Sequence, residues 1–253
     1  MEAFRLGIST ILARKTIFIW ILLLIVGSQI FPWLTPWEEK PSLLEPARAQ
    51  TAWAIAWLFV LGWGLSQAAA FGDQWASKGI LEYLRCQSQR RFSRLFQLWG
   101  TCLAACSIFV LLTFLISIVT ALPHSRAEAG MWIATNLQYA WLFLLAMGPL
   151  FLLAIALGTR FNATAAYTLS LGIALYGLIA IGYLDLFLAE GDNWFLDLVY
   201  LLSPHYHLAD LTDRLVFKMG ALESAAFLQT SCYLLGVGCV VTGTSCLLYR
   251  EQK

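Results

Sequence analysis

Six stretches of this sequence are apolar for about the length a helix needs to cross a lipid bilayer. They are Thr16 to Trp33, Thr51 to Phe71, Leu95 to Ala121, Tyr139 to Leu157, Ala163 to Leu184 and Ala225 to Tyr249. A hydrocarbon core of about 30 Å takes roughly 20 helical residues. Backbone groups in lipid have no water to bond, so each run is predicted to be a helix. A membrane barrel would show ten-residue alternating segments instead. The composition agrees: the 253 residues are 60% hydrophobic and 12% charged, against about 25% charged in a soluble domain. The expected fold class is therefore an all-α integral membrane protein, one transmembrane domain over residues 1–253 with six transmembrane helices.

The charges divide by side. With six crossings, Arg5, Arg14, Lys15, Lys78, Arg85, Arg90, Arg91, Arg94, Arg160, Arg250 and Lys253 share one side. Lys40, Arg48, Arg126, Arg214 and Lys218 take the other. Of the acids, Glu2, Asp73, Glu82 and Glu251 alone fall on the cation-rich side. Cytoplasmic loops carry the excess of Lys and Arg, which predicts both termini inside and a multi-pass protein of a cell membrane, most simply a prokaryotic cytoplasmic membrane. Met1 to Lys15 is not expected to be a cleaved signal. The run after it is a full span, and the Ala47-Arg48-Ala49 match lies too far beyond. Trp33 and Trp37, with Pro32 and Pro36, close the first run, where interfacial rings belong.

Several chemistries are missing. The sequence contains no G-x-x-x-x-G-K-[ST] phosphate loop, no G-x-S-x-G and no H-E-x-x-H. The spans carry almost no charge, which argues against an ion-coupled carrier, and the two halves show no repeat. No C-x-x-C pair exists. Cys102 and Cys106 share a helix face, and Cys232, Cys239 and Cys246 recur every seven residues; small soft residues of this kind fill helix contacts. No catalytic residue, resident metal or bound cofactor is expected, and no nucleic acid partner. Ser28, Gln29, Gln67 and Gln229 are expected to hydrogen-bond between helices. Gly64, Ala68 and Gly72 form a small-residue stripe that permits close helix approach, within the chain or between two copies.

Two loops are informative. Residues 72 to 99, GDQWASKGILEYLRCQSQRRFSRLFQLW, concentrate Lys78, Arg85, Arg90, Arg91 and Arg94. Lys78, Glu82, Arg85 and Gln89 fall on one helical face and Ile80, Leu81 and Leu84 on the opposite one. Ser77 to Cys86 therefore reads as a short amphipathic helix at the inner surface. Arg90, Arg91 and Arg94 follow as inner-surface anchors for lipid headgroups. The run GILEYLRCQSQRRFSRLFQLWG resembles the loop between spans two and three of ABC-2 type transporter permeases. Gly79, Leu81, Glu82 and Leu84 match the family's Gly-Thr-Leu-Glu-hydrophobic-Leu pattern. Ser93-Arg94 or Arg90-Arg91 stands near its Ser-Arg position, and Gly100 near its later glycine. Ala76-Ser77-Lys78 replaces the usual acids, and the usual proline is missing.

The resemblance extends to the whole-chain pattern of six spans with both termini inside. It implies a permease subunit of an ATP-driven exporter, with Gly79, Leu81, Glu82, Leu84 and Arg85 in a coupling helix that docks on a cassette ATPase. ATP and Mg²⁺ are then bound by that partner, and a second permease copy or a related permease completes the path. Met1 to Lys15 is similar to the family's interfacial helix, its apolar face containing Phe4, Leu6, Ile8, Ile11 and Leu12.

The second loop, Asp185 to Ser224, holds seven acids and two cations. Trp194 to Leu202 (WFLDLVYLL) within it is too apolar for a solvated loop and too short to span, so it is read as interfacial or re-entrant. The resemblance implies the same. His205, His207, Asp210 and Asp213 form a possible outer polar site, with a zinc or copper site weighed against a polar rim at headgroup level, which is preferred. Rival readings are a membrane scaffold or assembly subunit without transport of its own, a membrane enzyme acting through His205, His207 or Asp210, and an ion-coupled carrier. The cargo is not legible, since fold does not select it.

Overall fold

The computed structural model describes residues 2–34, 41–77, 90–123, 125–184 and 194–250. Among these every regular element is helical. α1 (Glu2–Ala13) leads through Lys15, which takes a left-handed conformation (φ 56°), into α2 (Thr16–Ile30). A 3₁₀ turn over Phe31–Leu34, containing Pro32, ends it. α3 is a long rod built from Pro41–Leu58, a π-helical turn over Phe59–Gly64, and Leu65–Ser77. α4 (Arg91–Ala121) stops before Leu122-Pro123, as helices do ahead of a proline. α5 (Arg126–Gly158) follows. α6 begins with Ala163–Leu175, takes a π-helical turn over Tyr176–Ala180 and runs on to Leu184. Its N-cap is Asn162, whose side chain accepts the Ala165 N–H at 2.8 Å. Then come α7 (Trp194–Leu202), a 3₁₀ turn over Tyr206–Ala209, α8 (Thr212–Val216) and α9 (Ser224–Leu248).

Among the described residues six helices are long and apolar enough to cross a membrane. α3 and α5 reach well beyond the apolar runs that announced them, starting at Pro41 and Arg126 rather than Thr51 and Tyr139. The added turns carry Glu45, Arg48, Arg126 and Glu128. A hydropathy limit falls at the first charges, whereas the helix continues as long as backbone bonds and side-chain partners hold it. Arg48 Nη1 donates to the Thr120 carbonyl (3.1 Å), and Lys218 lies 3.8 Å from Glu45 and 3.3 Å from Glu128.

α5 is the central element. Of its most apolar stretch 72% is buried, against 56% for α3, 28% for α6 and 22% for α9. It packs on α3, α4, α6 and α9. In lipid, close backbone contact replaces the hydrophobic drive between helices. The α3–α5 crossing shows this: a Cβ added at Gly72 would sit 2.9 Å from Gly158 Cα and closer still to the Ile155 carbonyl oxygen. The small-residue stripe is thus used inside the chain, Gly64 against Phe151 and Gly72 against Gly158. Of the polar residues expected to bond between helices, Gln29 donates to Thr120 Oγ1 (3.0 Å), and Gln67 accepts from Arg14. Ser28 bonds to the Ile25 carbonyl of its own helix, and Gln229 is exposed. α1 lies along α4, with Gly7 at the crossing. A Cβ there would meet Thr101 Oγ1 at 2.7 Å.

The bundle has two dissimilar ends. The terminal end carries α1, Ser77, Arg90, the α5–α6 turn and the end of α9. The far end carries α7, α8 and the loops around Leu122 and Phe217. Arg5, Arg14, Lys15, Arg90, Arg91, Arg94, Arg160 and Arg250 belong to the terminal end, while Glu45, Glu128, Asp197, Asp210, Asp213 and Glu223 belong to the far end.

Candidate functional site

The far end is built on an aromatic ladder between α3 and α5. Trp53 stacks on Tyr139 (ring centroids 4.0 Å, 14° between planes) and Trp57 packs on Phe143 at 4.4 Å. Spacing of four places Trp53 and Trp57 on one face of α3. Their buried indole N–H groups need acceptors. Trp53 Nε1 donates to Asn136 Oδ1 (2.9 Å) and Trp57 Nε1 to the Tyr139 hydroxyl (2.8 Å). That hydroxyl donates in turn to Asp210 Oδ1 at 2.5 Å. The same oxygen accepts the backbone N–H of Thr212 (2.9 Å) and its hydroxyl (2.5 Å), which fixes the start of α8. Leu211 and Leu215 are buried beneath it. A line of hydrogen bonds thus runs from the interior of α3, through Tyr139, to an exposed carboxylate.

The remaining far-end residues do not join this line. The segment from His205 to Asp213 is not one helix, so the face-by-face spacing of its polar residues does not apply. It forms a 3₁₀ turn, an extended Asp210 (φ −90°, ψ 106°) and then α8. His205 Nε2 donates to the Tyr200 carbonyl (3.0 Å), and its ring lies edge-on to Tyr200. His207 is its neighbour, with ring centroids 5.5 Å apart. Asp210 turns away to Tyr139, and Asp213 is exposed. Among the described residues no three His, Cys, Asp or Glu side chains are grouped to hold a metal ion.

A second fastening joins the rim to α6 and α9. Ser203 Oγ donates to the Val199 carbonyl (2.6 Å), so Tyr176 on α6 must be the donor in its 2.8 Å bond with Ser203 Oγ. Tyr233 on α9 accepts the His205 N–H and donates to the Ser203 carbonyl, both at 3.1 Å. Tyr206, 2% exposed, fits into a notch at Gly177 in the π-helical turn of α6. Burial pushes the ionisation of the Tyr206 hydroxyl above the usual tyrosine range. Sequence reasoning missed Tyr139, Trp57, Tyr176 and Tyr233. The available signal was a set of hydroxyl- and N–H-bearing aromatics within runs otherwise filled by plain hydrocarbon.

At the terminal end the residues expected to dock a partner, Gly79, Leu81, Glu82, Leu84 and Arg85, lie outside the described residues. The three arginines expected as headgroup anchors separate. Arg90 is exposed ahead of α4. Arg91 donates to the Tyr249 carbonyl, and its guanidinium lies 5.6 Å from the Tyr249 ring centroid. Arg94 is 2% exposed and belongs to the interior, because its position on α4 turns it toward the body of the fold. Arg160 donates to the Leu247 and Leu248 carbonyls, and the Arg250 N–H bonds to Thr159 Oγ1 (3.0 Å). The last carbonyls of a helix lack partners within it. Here two guanidinium groups supply them, Arg91 from the first turn of α4 and Arg160 from the α5–α6 turn, at the end of α9 where the dipole favours cations.

Two small cavities lie among the described residues. One of about 10 Å³ lies between α1, α3, α4 and α5, beside Gln67, Cys102 and Cys106. It has room for about one water molecule. Another of about 30 Å³ lies at the far end beside Glu128, Trp132, Arg214 and Lys218. Compared with known families and with curated proteins, the chain matches no family model and no curated protein.

Proposed function

We propose that this chain is the permease subunit of an ATP-binding cassette exporter of the ABC-2 type. It moves a substrate across the cytoplasmic membrane with ATP hydrolysed by a separate subunit. The observation that carries the reading is the run GILEYLRCQSQRRFSRLFQLWG, which in sequence follows the second of the six membrane-scale helices and whose last ten residues open the third. Three features support it. Cations gather at the end that holds both chain termini. An apolar nine-residue helix, α7, has no buried residue and lies at the opposite end, as a segment dipping back into lipid would. The two cavities described above have room for a water or two each, which fits a cargo path that runs between this chain and a second permease copy or a related one.

In this mechanism the terminal end faces the cytoplasm. The segment containing Gly79, Leu81, Glu82, Leu84 and Arg85 receives the closing motion of the ATPase and passes it into α3 and α4. The chain itself contributes no catalytic group. Charge reversal at Glu82→Lys and Arg85→Glu, followed by capture of a cassette ATPase co-expressed with this chain, is the direct test. Loss of capture is expected, and unchanged capture removes the docking assignment. Reconstitution of the pair distinguishes the rivals: a scaffold binds the ATPase without ATP-dependent transport, and an ion-coupled carrier stops when the proton gradient is collapsed.

A further inference from the structure

The far-end segment from Trp194 to Val216 is held unequally on its two sides. Toward α3 and α5, Asp210 and Thr212 share a hydrogen-bond line with Tyr139 and Trp57, and α8 buries Leu211 and Leu215. These two helices are also the most buried of the bundle. Toward α6 the fastening among the described residues includes the hydrogen bond from Tyr176 to Ser203 and the fit of Tyr206 into the Gly177 notch. α6 is among the least buried spans, and its π-helical turn, Tyr176–Ala180, falls at this contact. Single π turns inside α-helices are found mostly at functional positions. The Tyr206 hydroxyl is buried and has no hydrogen-bond partner among the described residues. A closed seam therefore leaves a polar group unsatisfied, and an open one satisfies it.

We infer that the far-end segment opens along this seam: Tyr176–Ala180 of α6 parts from Ser203–Tyr206, while Asp210–Leu215 stays clasped to α3 and α5. Parting breaks the Tyr176–Ser203 hydrogen bond and uncovers the Tyr206 hydroxyl, which then donates to water or to a polar group entering from the side. Tyr233 keeps Ser203 and His205 on α9, so α6 is the element that moves. As an exit for cargo the seam rests on the permease reading. As a motion of the fold it stands by itself.

Hydrogen exchange of the full chain in lipid nanodiscs tests it. A Cβ at Gly177 would lie 2.5 Å from both the Pro204 carbonyl oxygen and Tyr206 Cδ2, so Gly177→Val wedges the seam. The Ile181 N–H bonds to the Tyr176 carbonyl within α6 and the Tyr206 N–H to the Pro204 carbonyl within the segment, so exchange there reads how readily each side of the seam opens once its packing is lost; it is expected to rise roughly tenfold at Ile179–Ile181 and Tyr206 in this variant, with less than about a twofold change at Thr212 and Leu215. An equal rise on both sides would show a segment that moves as one body and would overturn the inference, as would no rise at all. Tyr206→Phe removes the unsatisfied hydroxyl with little change of shape. It is expected to slow exchange at Ile179–Ile181 about threefold or more, and faster exchange there overturns the assignment of the hydroxyl. A seam that opens in a chain without ATP-dependent transport would leave this inference standing and remove the proposed function alone.

Discussion

Gly72→Ala is the most informative single perturbation of the scaffold. The new methyl would lie 2.9 Å from Gly158 Cα and nearer to the Ile155 carbonyl oxygen. Both obstacles are backbone, so no side-chain rotation relieves them. To regain an ordinary contact of about 3.4 Å, α3 and α5 must part by at least half an ångström, and a gap of ~0.5–1 Å forfeits a quarter to a half of each dispersion contact along the crossing. Overpacking of this kind costs about 1–3 kcal/mol. Replacing a helical glycine by alanine returns about 0.5–1 kcal/mol through backbone entropy. The net expectation is a loss of up to about 2.5 kcal/mol, and of about 1–3 kcal/mol relative to a helical Gly→Ala change that meets no obstacle. Gly236→Ala on α9 is the matched control, because nothing lies within 4 Å of its added Cβ. Reversible unfolding of both variants in mixed micelles, titrated with denaturing detergent, gives the comparison. If Gly72→Ala falls within about 0.5 kcal/mol of Gly236→Ala, the claim that backbone contact between α3 and α5 organises the bundle is wrong.

The other expectations concern the two ends. Tyr139→Phe keeps the stack on Trp53 but leaves the buried Trp57 N–H without its acceptor, and should cost about 1–3 kcal/mol in the same unfolding assay. Double substitution with Trp57→Phe removes both partners and should recover part of that loss. Arg160→Ala uncovers the Leu247 and Leu248 carbonyls; exchange in the last turn of α9 should quicken by roughly tenfold, with the first turns of α9 unchanged. Cys102 and Cys106 are buried within the fold and should resist a maleimide until denaturing detergent opens the bundle; peptide mass spectrometry reads the change.

The apolar runs were legible because lipid demands helices of a fixed length whatever their pattern. Their ends were less so. Glu45, Arg48 and Glu128 look like loop residues by hydropathy, yet partners 72 to 173 positions away let the helix continue through them. The stripe of Gly64, Ala68 and Gly72 announced a close approach but not its partner. Gly158 sits in another helix, and only the packed fold shows that the contact is internal. Asp210 was singled out for its nearness to His205 and His207 in sequence. Its structural partner is Tyr139, 71 residues earlier, inside a run that reads as plain hydrocarbon. Arg94 was grouped with its neighbours by charge, and helical rotation separated it from them. Local pattern gives the type of an element, whereas pairings across the bundle depend on register between helices, which one sequence does not encode in any short window.

α1 is held almost entirely by residues made after it. Gly7 sits on Thr101, Arg14 reaches Gln67 and Gln74, and Trp63 bonds back to Thr16 at the start of α2. At translation speeds of about 5–20 residues per second, the ribosome needs roughly 5 to 20 s to get from Gly7 to Thr101. For that interval α1 lacks its seat on α4, with only the junction to α2 and α3 available to hold it, and must wait on the membrane face while α4 inserts. A segment made ahead of its main docking surface therefore settles late, and its arrival marks the point at which the neighbouring helices have found one another.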